Sequence, residues 1–162
     1  MNSLQKTGAI VAALALTSTA AWIIHSMNNS PAFPEQWAVM EVTDAQTMTV
    51  RQTNGHQMQV RLCGIDAAEL GNQAKEKLQS LVAIDGNQVT VIPVAKDEQG
   101  RTFAEIMAYS KDGVEVSFQE ELLKSGLVKT RQSGVECPNM IAFENAQRLA
   151  VASKAGIWKQ LK

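Results

Sequence analysis

Alternation of apolar and polar residues divides the second part of the chain into short strands. Residues 57–65 are the clearest case, because Met58, Val60 and Leu62 alternate with polar or small residues. A period of two places successive side chains on opposite faces, so Arg61 is expected to point away from the apolar face. The same reasoning predicts five strands, over residues 37–42, 47–51, 57–65, 88–94 and 101–109.

Three other segments repeat their apolar residues with a helical period, and they are predicted to be helices over residues 72–84, 117–124 and 139–155. Ser117 and Glu120 are spaced as a capping box, and Gly126 follows the end of that helix. In the last helix, Gly156 is the expected stop. The side expected to face the core consists of Ile141, Ala142, Asn145, Leu149 and Ala152.

The predicted order is three strands, a helix, two strands and two helices. Five short strands with a helix between the third and the fourth are the plan of an OB-fold barrel. We therefore expect an α+β domain, a five-stranded OB-fold barrel with three helices, preceded by an N-terminal apolar helix. A fold of this kind does not by itself determine a function.

The N-terminal segment has a different pattern, because residues 7–24 carry no charge and are mostly apolar. A cleaved signal peptide, an uncleaved membrane anchor and a buried core helix all remain open, although the missing charged face argues against the last. Trp22 near the end of the segment favours the anchor. We expect an anchor or signal peptide over residues 1–26, a linker over 27–36 and a domain over 37–160. The domain would then be exported, and either membrane-anchored or secreted or periplasmic.

Composition narrows the function classes. The chain has 162 residues, of which 45% are hydrophobic and 19% charged, as in a globular domain. Its net charge of −1 excludes nucleic-acid binding through a basic tail, but not local binding of a phosphate. The two cysteines and two histidines do not form an adequate ligand set for a zinc finger.

The candidate chemistry lies in four charged residues, Arg61, Asp66, Glu69 and Arg101, at strand ends and in loops. Guanidinium groups bind phosphate oxygens, and carboxylates bind a hard cation or orient a water molecule. These four residues together would suit the binding of a phosphodiester. Spacing alone leaves the alternative open that these are surface charges in weak ion pairs.

Four segments of the chain resemble the thermonuclease, or staphylococcal-nuclease-like, family. They are VRLCGIDAAE (60–69), DEQGRTFAEI (97–106), LLKSGLVK (122–129) and KAGIW (154–158), and the resemblance extends over about residues 39–158. It implies an OB-fold and Ca²⁺-dependent hydrolysis of phosphodiester bonds in DNA and RNA. We expect a monomer that has nucleic acid as its substrate and, through the N-terminal helix, contacts the membrane.

The resemblance also implies a role for each of the four charged residues. Arg61 matches the first phosphate-binding arginine, and Arg101 matches the second, which stabilises the pentacovalent transition state. Asp66 matches a calcium-ligating aspartate. Glu69 matches the glutamate that acts on the attacking water molecule.

Three departures from the family pattern bear on activity. Gln46 stands where the family has a second calcium-ligating aspartate, so the ligand is an amide without the negative charge. Ala68 replaces a proline beside Glu69. The stretch 129–133 lacks the family's nucleotide-stacking tyrosines, which leaves Lys129 and Arg131 as the candidate substrate contacts.

The resemblance also makes Cys63 and Cys137 plausible neighbours. In an exported domain we favour a disulfide between them over two buried free thiols. Two functions remain open for the domain as a whole. One is an active nuclease with a weakened calcium site, and the other is a catalytically impaired domain that binds nucleic acid or protein.

Overall fold

The computed structural model describes residues 36–67, 69–131 and 134–160. The expected anchor or signal peptide, and all of the linker except Gln36, lie outside this part of the chain. Within it, no helix has the length and apolar character needed to cross a membrane. The strands in the described residues are β1 (Gln36–Val42), β2 (Thr47–Arg51), β3 (Gln57–Leu62), β4 (Ile65–Asp66), β5 (Gln88–Lys96), β6 (Thr102–Tyr109), β7 (Glu115–Ser117) and β8 (Lys129–Thr130). The α-helices of the same part of the chain are α1 (Gly71–Val82), α2 (Phe118–Lys124) and α3 (Met140–Ala152).

The predicted five-stranded barrel with three helices is confirmed. Strands β3, β2, β1, β5 and β6 are neighbours in that order and pair antiparallel. The barrel closes where β3 pairs with β6 in parallel, which brings Arg61 opposite Phe103. Alternation along β3 holds as well, because Val60 and Leu62 are buried whereas Arg61 is partly exposed.

The third strand is shorter than predicted: β3 ends at Leu62, and Ile65, the last residue of the predicted strand, begins the separate strand β4. The chain turns at Gly64, whose φ of 71° favours glycine, and Ile65 and Asp66 then pair with Thr130 and Lys129 of β8. A Cβ atom at Gly64 would lie 2.8 Å from the Cys137 sulphur. The turn therefore moves Asp66 away from the line of β3.

Helix α3 buries a different side from the one predicted. Its buried residues are Phe143, Ala146 and Ala150, whereas Ile141 is 78% exposed and Leu149 is 61% exposed. The buried set is also spaced at helical intervals, and its small alanines let α3 lie closely against α2. The prediction failed because two large apolar residues on the outer side produced a competing pattern.

The predicted disulfide between Cys63 and Cys137 is present, with a sequence separation of 74 residues. Both residues are buried, and the bond ties the end of β3 to the loop before α3. The same loop is held by Glu105, a buried residue of β6 that is only 1% exposed. The two carboxylate oxygens of Glu105 accept hydrogen bonds from the backbone N and the side-chain Nδ2 of Asn139, at 2.8 and 2.6 Å.

We expect Glu105→Gln to lower the free energy of unfolding by about 1–3 kcal/mol, because one buried carboxylate oxygen becomes an NH₂ group that faces an Asn139 donor and cannot accept its hydrogen bond. Denaturant unfolding measures the effect. Glu144→Gln is the matched control on the exposed side of α3, and it should change stability little. Equal midpoints for the two variants would contradict the role given to Glu105.

Candidate phosphate-binding site

A cleft of about 470 Å³ contains four of the residues singled out from the sequence, Gln46, Arg61, Asp66 and Arg101. It opens between the β1–β2 turn, the outer face of β3 and the start of α1. The remaining lining residues are Thr43, Asp44, Ala45, Thr47, Ala67, Gly71, Asn72 and Lys75.

Closure of the barrel brings these distant residues together. Arg61 lies opposite Thr47 of β2 on one side and opposite Phe103 of β6 on the other. Gln46 precedes β2, and its carbonyl oxygen accepts a hydrogen bond from the Leu62 backbone N at 2.7 Å. Arg101 directly precedes β6 and so enters the cleft beside Arg61.

The side-chain amide of Gln46 connects Arg61 with Asp66. Arg61 Nη2 donates to Gln46 Oε1 at 3.1 Å, and Gln46 Nε2 donates to Asp66 Oδ1 at 3.4 Å. Asp44 Oδ1 accepts from the Gln46 backbone N at 2.7 Å, which holds the turn before β2. Because Gln46 is only 7% exposed, these partners determine how its amide is oriented.

Arg101 is held by Asp97, a residue that sequence reasoning did not single out. Arg101 Nε lies 2.7 Å from Asp97 Oδ2, and the Arg101 backbone N donates to Oδ1 at 2.8 Å. Within the described residues, the Nη groups of Arg101 make no hydrogen bond, which leaves them available to a ligand. The sequence signal is the tight Asp-Glu-Gln-Gly-Arg turn, which places a carboxylate four residues before the arginine.

The pKa of the Asp97 carboxyl is lowered. Partial burial acts to raise it, but the hydrogen bonds and the positive charge of Arg101 outweigh that effect. Because the folded-state pKa lies below the unfolded value, Asp97 stabilises the fold above the unfolded pKa. This contribution is lost as the pH falls through the folded pKa.

Wild-type protein is therefore expected to lose stability more steeply below about pH 4 than Asp97→Asn, which has no carboxyl to protonate. The measurement is the free energy of unfolding as a function of pH. Glu98→Gln, next to Asp97 but exposed, is the control and should follow the wild-type curve. Parallel curves for wild type and Asp97→Asn would show that the ion pair contributes nothing to the free energy of unfolding.

Glu69 and Lys129 line a separate, smaller pocket of about 120 Å³, which shares Asp66 with the edge of the cleft. Glu69 forms an ion pair with Lys129, and Lys129 Nζ also lies 5.6 Å from the centroid of the Trp158 ring. Both members of the pair are well exposed, so the interaction is weak and open to competition. The structure thus brings together the two arginines and Asp66, and it places Glu69 beside Lys129 instead.

Arg131 lies elsewhere. It lines a third pocket, of about 670 Å³, against α3 and the loop before it, together with Thr130, Glu136 and Arg148. The two candidate substrate contacts, Lys129 and Arg131, therefore belong to different pockets. Lys75 lines the cleft and was not singled out from the sequence, because a lysine on an amphipathic helix carries no signal that distinguishes it from a solvated one.

The donor atoms of the cleft do not fit the calcium ion that the resemblance implies. Ca²⁺ takes six to eight oxygen ligands, usually with several carboxylates. Gln46 turns an N–H group towards Asp66 and its oxygen towards Arg61. In the described part of the chain, three Asp, Glu, His or Cys ligand atoms come within 4.8 Å of one another only at Cys63, Glu105 and Cys137, away from this cleft.

Comparison with known proteins adds one finding to this geometry. A family model described as staphylococcal nuclease homologue matches residues 51–160, which include β3, all three helices and both arginines of the cleft. A search of curated proteins finds no match.

Proposed function

The chain belongs to the staphylococcal nuclease homologue family, and on this basis we propose that its domain is a nuclease that hydrolyses phosphodiester bonds of DNA or RNA. The observation that carries the proposal is the convergence of Arg61 and Arg101 on one cleft. Two guanidinium groups on a shared concave surface suit a phosphodiester, whose negative charge increases in the transition state.

Each arginine would act from a prepared position. Gln46 Oε1 accepts a hydrogen bond from Arg61, and Asp97 accepts one from Arg101 Nε. Both guanidinium groups are therefore held in place before a phosphate binds. Remaining N–H groups then donate to the non-bridging oxygens. Preorganised donors of this kind stabilise the pentacovalent transition state more than the ground state.

Glu69 is the proposed base that orients the attacking water molecule. In the arrangement described above it is paired with Lys129, so it must leave this partner before it reaches the phosphate. An exposed ion pair contributes only about 0–1 kcal/mol, so the exchange has a low cost. A phosphate of the bound strand would compete for Lys129 and thereby release Glu69.

Members of the family are generally Ca²⁺-dependent. The cleft of this chain does not fit the ion, for the reasons given above, and the proposed roles of Arg61, Arg101 and Glu69 involve no metal. What these residues supply is phosphate binding, charge stabilisation and orientation of water.

A second candidate function is binding of nucleic acid without hydrolysis. Two specific contacts favour it: the amide of Gln46 lies where an acidic ligand is expected, and Glu69 is paired outside the cleft. Both alternatives use the same two arginines for the phosphate. They differ in whether the bound strand is cut.

We further propose that the domain is exported, either on a membrane anchor or as a secreted or periplasmic protein. The apolar segment over residues 7–24 and the disulfide both support this, because disulfides persist in oxidising compartments. When cells are fractionated into cytoplasm, membrane, periplasm and medium, the chain should be found in one of the last three fractions. Recovery from the cytoplasm alone would contradict export.

The proposed activity is tested by incubating the full-length chain with single-stranded DNA, duplex DNA and RNA, in Ca²⁺ and in excess chelator. We expect shortened products from at least one substrate. Binding of intact strands without cleavage would support the second candidate. If the chain neither binds nor cleaves these nucleic acids, both candidate functions are ruled out.

A further inference from the structure

The orientation of the Gln46 amide is determined by its two partners. A guanidinium only donates hydrogen bonds, and an ionised carboxylate only accepts them. Oε1 must therefore face Arg61 and Nε2 must face Asp66, as their distances of 3.1 and 3.4 Å indicate. A flipped amide would set two donors against each other on one side and two acceptors against each other on the other.

This orientation places a hydrogen-bond donor where a cation would contact Asp66. The Nε2 group carries a partial positive charge and satisfies part of the carboxylate's need for a donor. The oxygen, the only atom of the amide that ligates a hard cation, is directed to Arg61 instead. Since Gln46 is almost fully buried, solvent offers its polar atoms little alternative.

The cleft offers an anion more free donors than it offers a cation free acceptors. Its lining carries Arg61, Arg101 and Lys75 against Asp44 and Asp66, and Asp97, the partner of Arg101, brings the charges into balance. Among the described residues, Arg61 and Lys75 have no carboxylate partner, so their positive charges can meet a phosphate. Asp44 Oδ1 and Asp66 Oδ1, by contrast, already accept hydrogen bonds from Gln46. An aspartate at position 46 would add a negative charge and place a second carboxylate beside Asp66.

We propose that this cleft binds phosphodiesters without a divalent cation, because the Gln46 amide bridges Asp66 and Arg61 where the resemblance implies a metal ligand. The inference rests on the proposed nucleic-acid function and specifies the cofactor requirement of that site. Gln46 acts as a positioning residue, because it fixes Arg61 and Asp66 and has no chemical step of its own.

The test uses the full-length chain and two measurements. Calorimetry detects binding of Ca²⁺ alone, and fluorescence anisotropy follows a labelled phosphorothioate oligothymidylate, which resists hydrolysis, in Ca²⁺ or in chelator at equal ionic strength. Gln46→Asp and Gln46→Asn form a matched pair, since the two side chains have the same shape and differ in charge.

For the wild type and Gln46→Asn we expect no saturable Ca²⁺ binding and the same oligonucleotide affinity in both buffers. For Gln46→Asp we expect saturable Ca²⁺ binding and an affinity about tenfold higher in Ca²⁺ than in chelator. Should the aspartate variant fail to fold, the two wild-type measurements decide the question by themselves. Saturable Ca²⁺ binding by the wild type, or oligonucleotide binding only in Ca²⁺, would overturn this inference alone. Oligonucleotide binding in neither buffer would overturn the proposed function as well.

Discussion

Alanine at position 61 or 101 is expected to lower the rate of phosphodiester cleavage by about 10²–10³-fold, the usual loss for one preorganised donor at a developing charge. Arg61 lies on the outer face of β3 and Arg101 directly before β6, and both line the same cleft. Neither side chain lies in the hydrophobic core, so the fold should persist in both variants.

The measurement is the single-turnover cleavage rate of a labelled oligonucleotide, with thermal unfolding as the check on folding. Arg51→Ala removes an exposed arginine at the end of β2, away from the cleft and from the candidate substrate contacts, and should leave the rate unchanged. Arg61→Lys keeps the charge but loses the planar fork, so it should recover only part of the rate. Wild-type cleavage in Arg61→Ala or Arg101→Ala would show that the cleft is not the site of catalysis.

Reduction of the Cys63–Cys137 bond is expected to lower the free energy of unfolding by about 4 kcal/mol, the chain-entropy value for a loop of this length. The bond joins residues 74 positions apart, so its loss frees most of the domain's unfolded chain. Because typical domains are stable by about 5–15 kcal/mol, the reduced protein should be close to unfolding.

Denaturant unfolding with and without reductant measures this loss. The double variant Cys63→Ala/Cys137→Ala is the control, and reductant should not move its midpoint. Alkylation followed by intact mass, on protein isolated without reductant, should find neither thiol reactive. Two alkylatable thiols, or equal midpoints for oxidised and reduced wild type, would contradict the structural role of the bond.

The order of strands and helices could be predicted from the sequence, because alternation, helical spacing and turn residues are local properties. Strand β2 begins and ends at the predicted residues, and Ser117 caps α2 by accepting from the Glu120 backbone N. Errors arose where two local patterns competed. Helical spacing is shared in α3 by Ile141 with Leu149 and by Phe143 with Ala146. Contact with α2 buries the second pair and leaves the first exposed.

The candidate site was predictable only in part. Its two arginines and Asp66 could be named from motifs, because the family resemblance assigns them by position. Asp97 was missed although it lies in one of the quoted motifs, since a carboxylate in an exposed turn usually carries no particular role. Its importance follows from its contacts with Arg101.

What the sequence by itself determined is therefore the five strands of the barrel, the three helices, most of the residues offered to the cleft and the Cys63–Cys137 pair that the resemblance suggested. Tertiary structure alone decided that β4 pairs with β8, that Glu69 meets Lys129 sixty positions away, and that Gln46 turns its N–H towards Asp66. The physical reason is the range of the interactions involved. Backbone periodicity is set by near neighbours, but the orientation of an amide or the partner of a carboxylate depends on groups that closure of the barrel brings from distant positions.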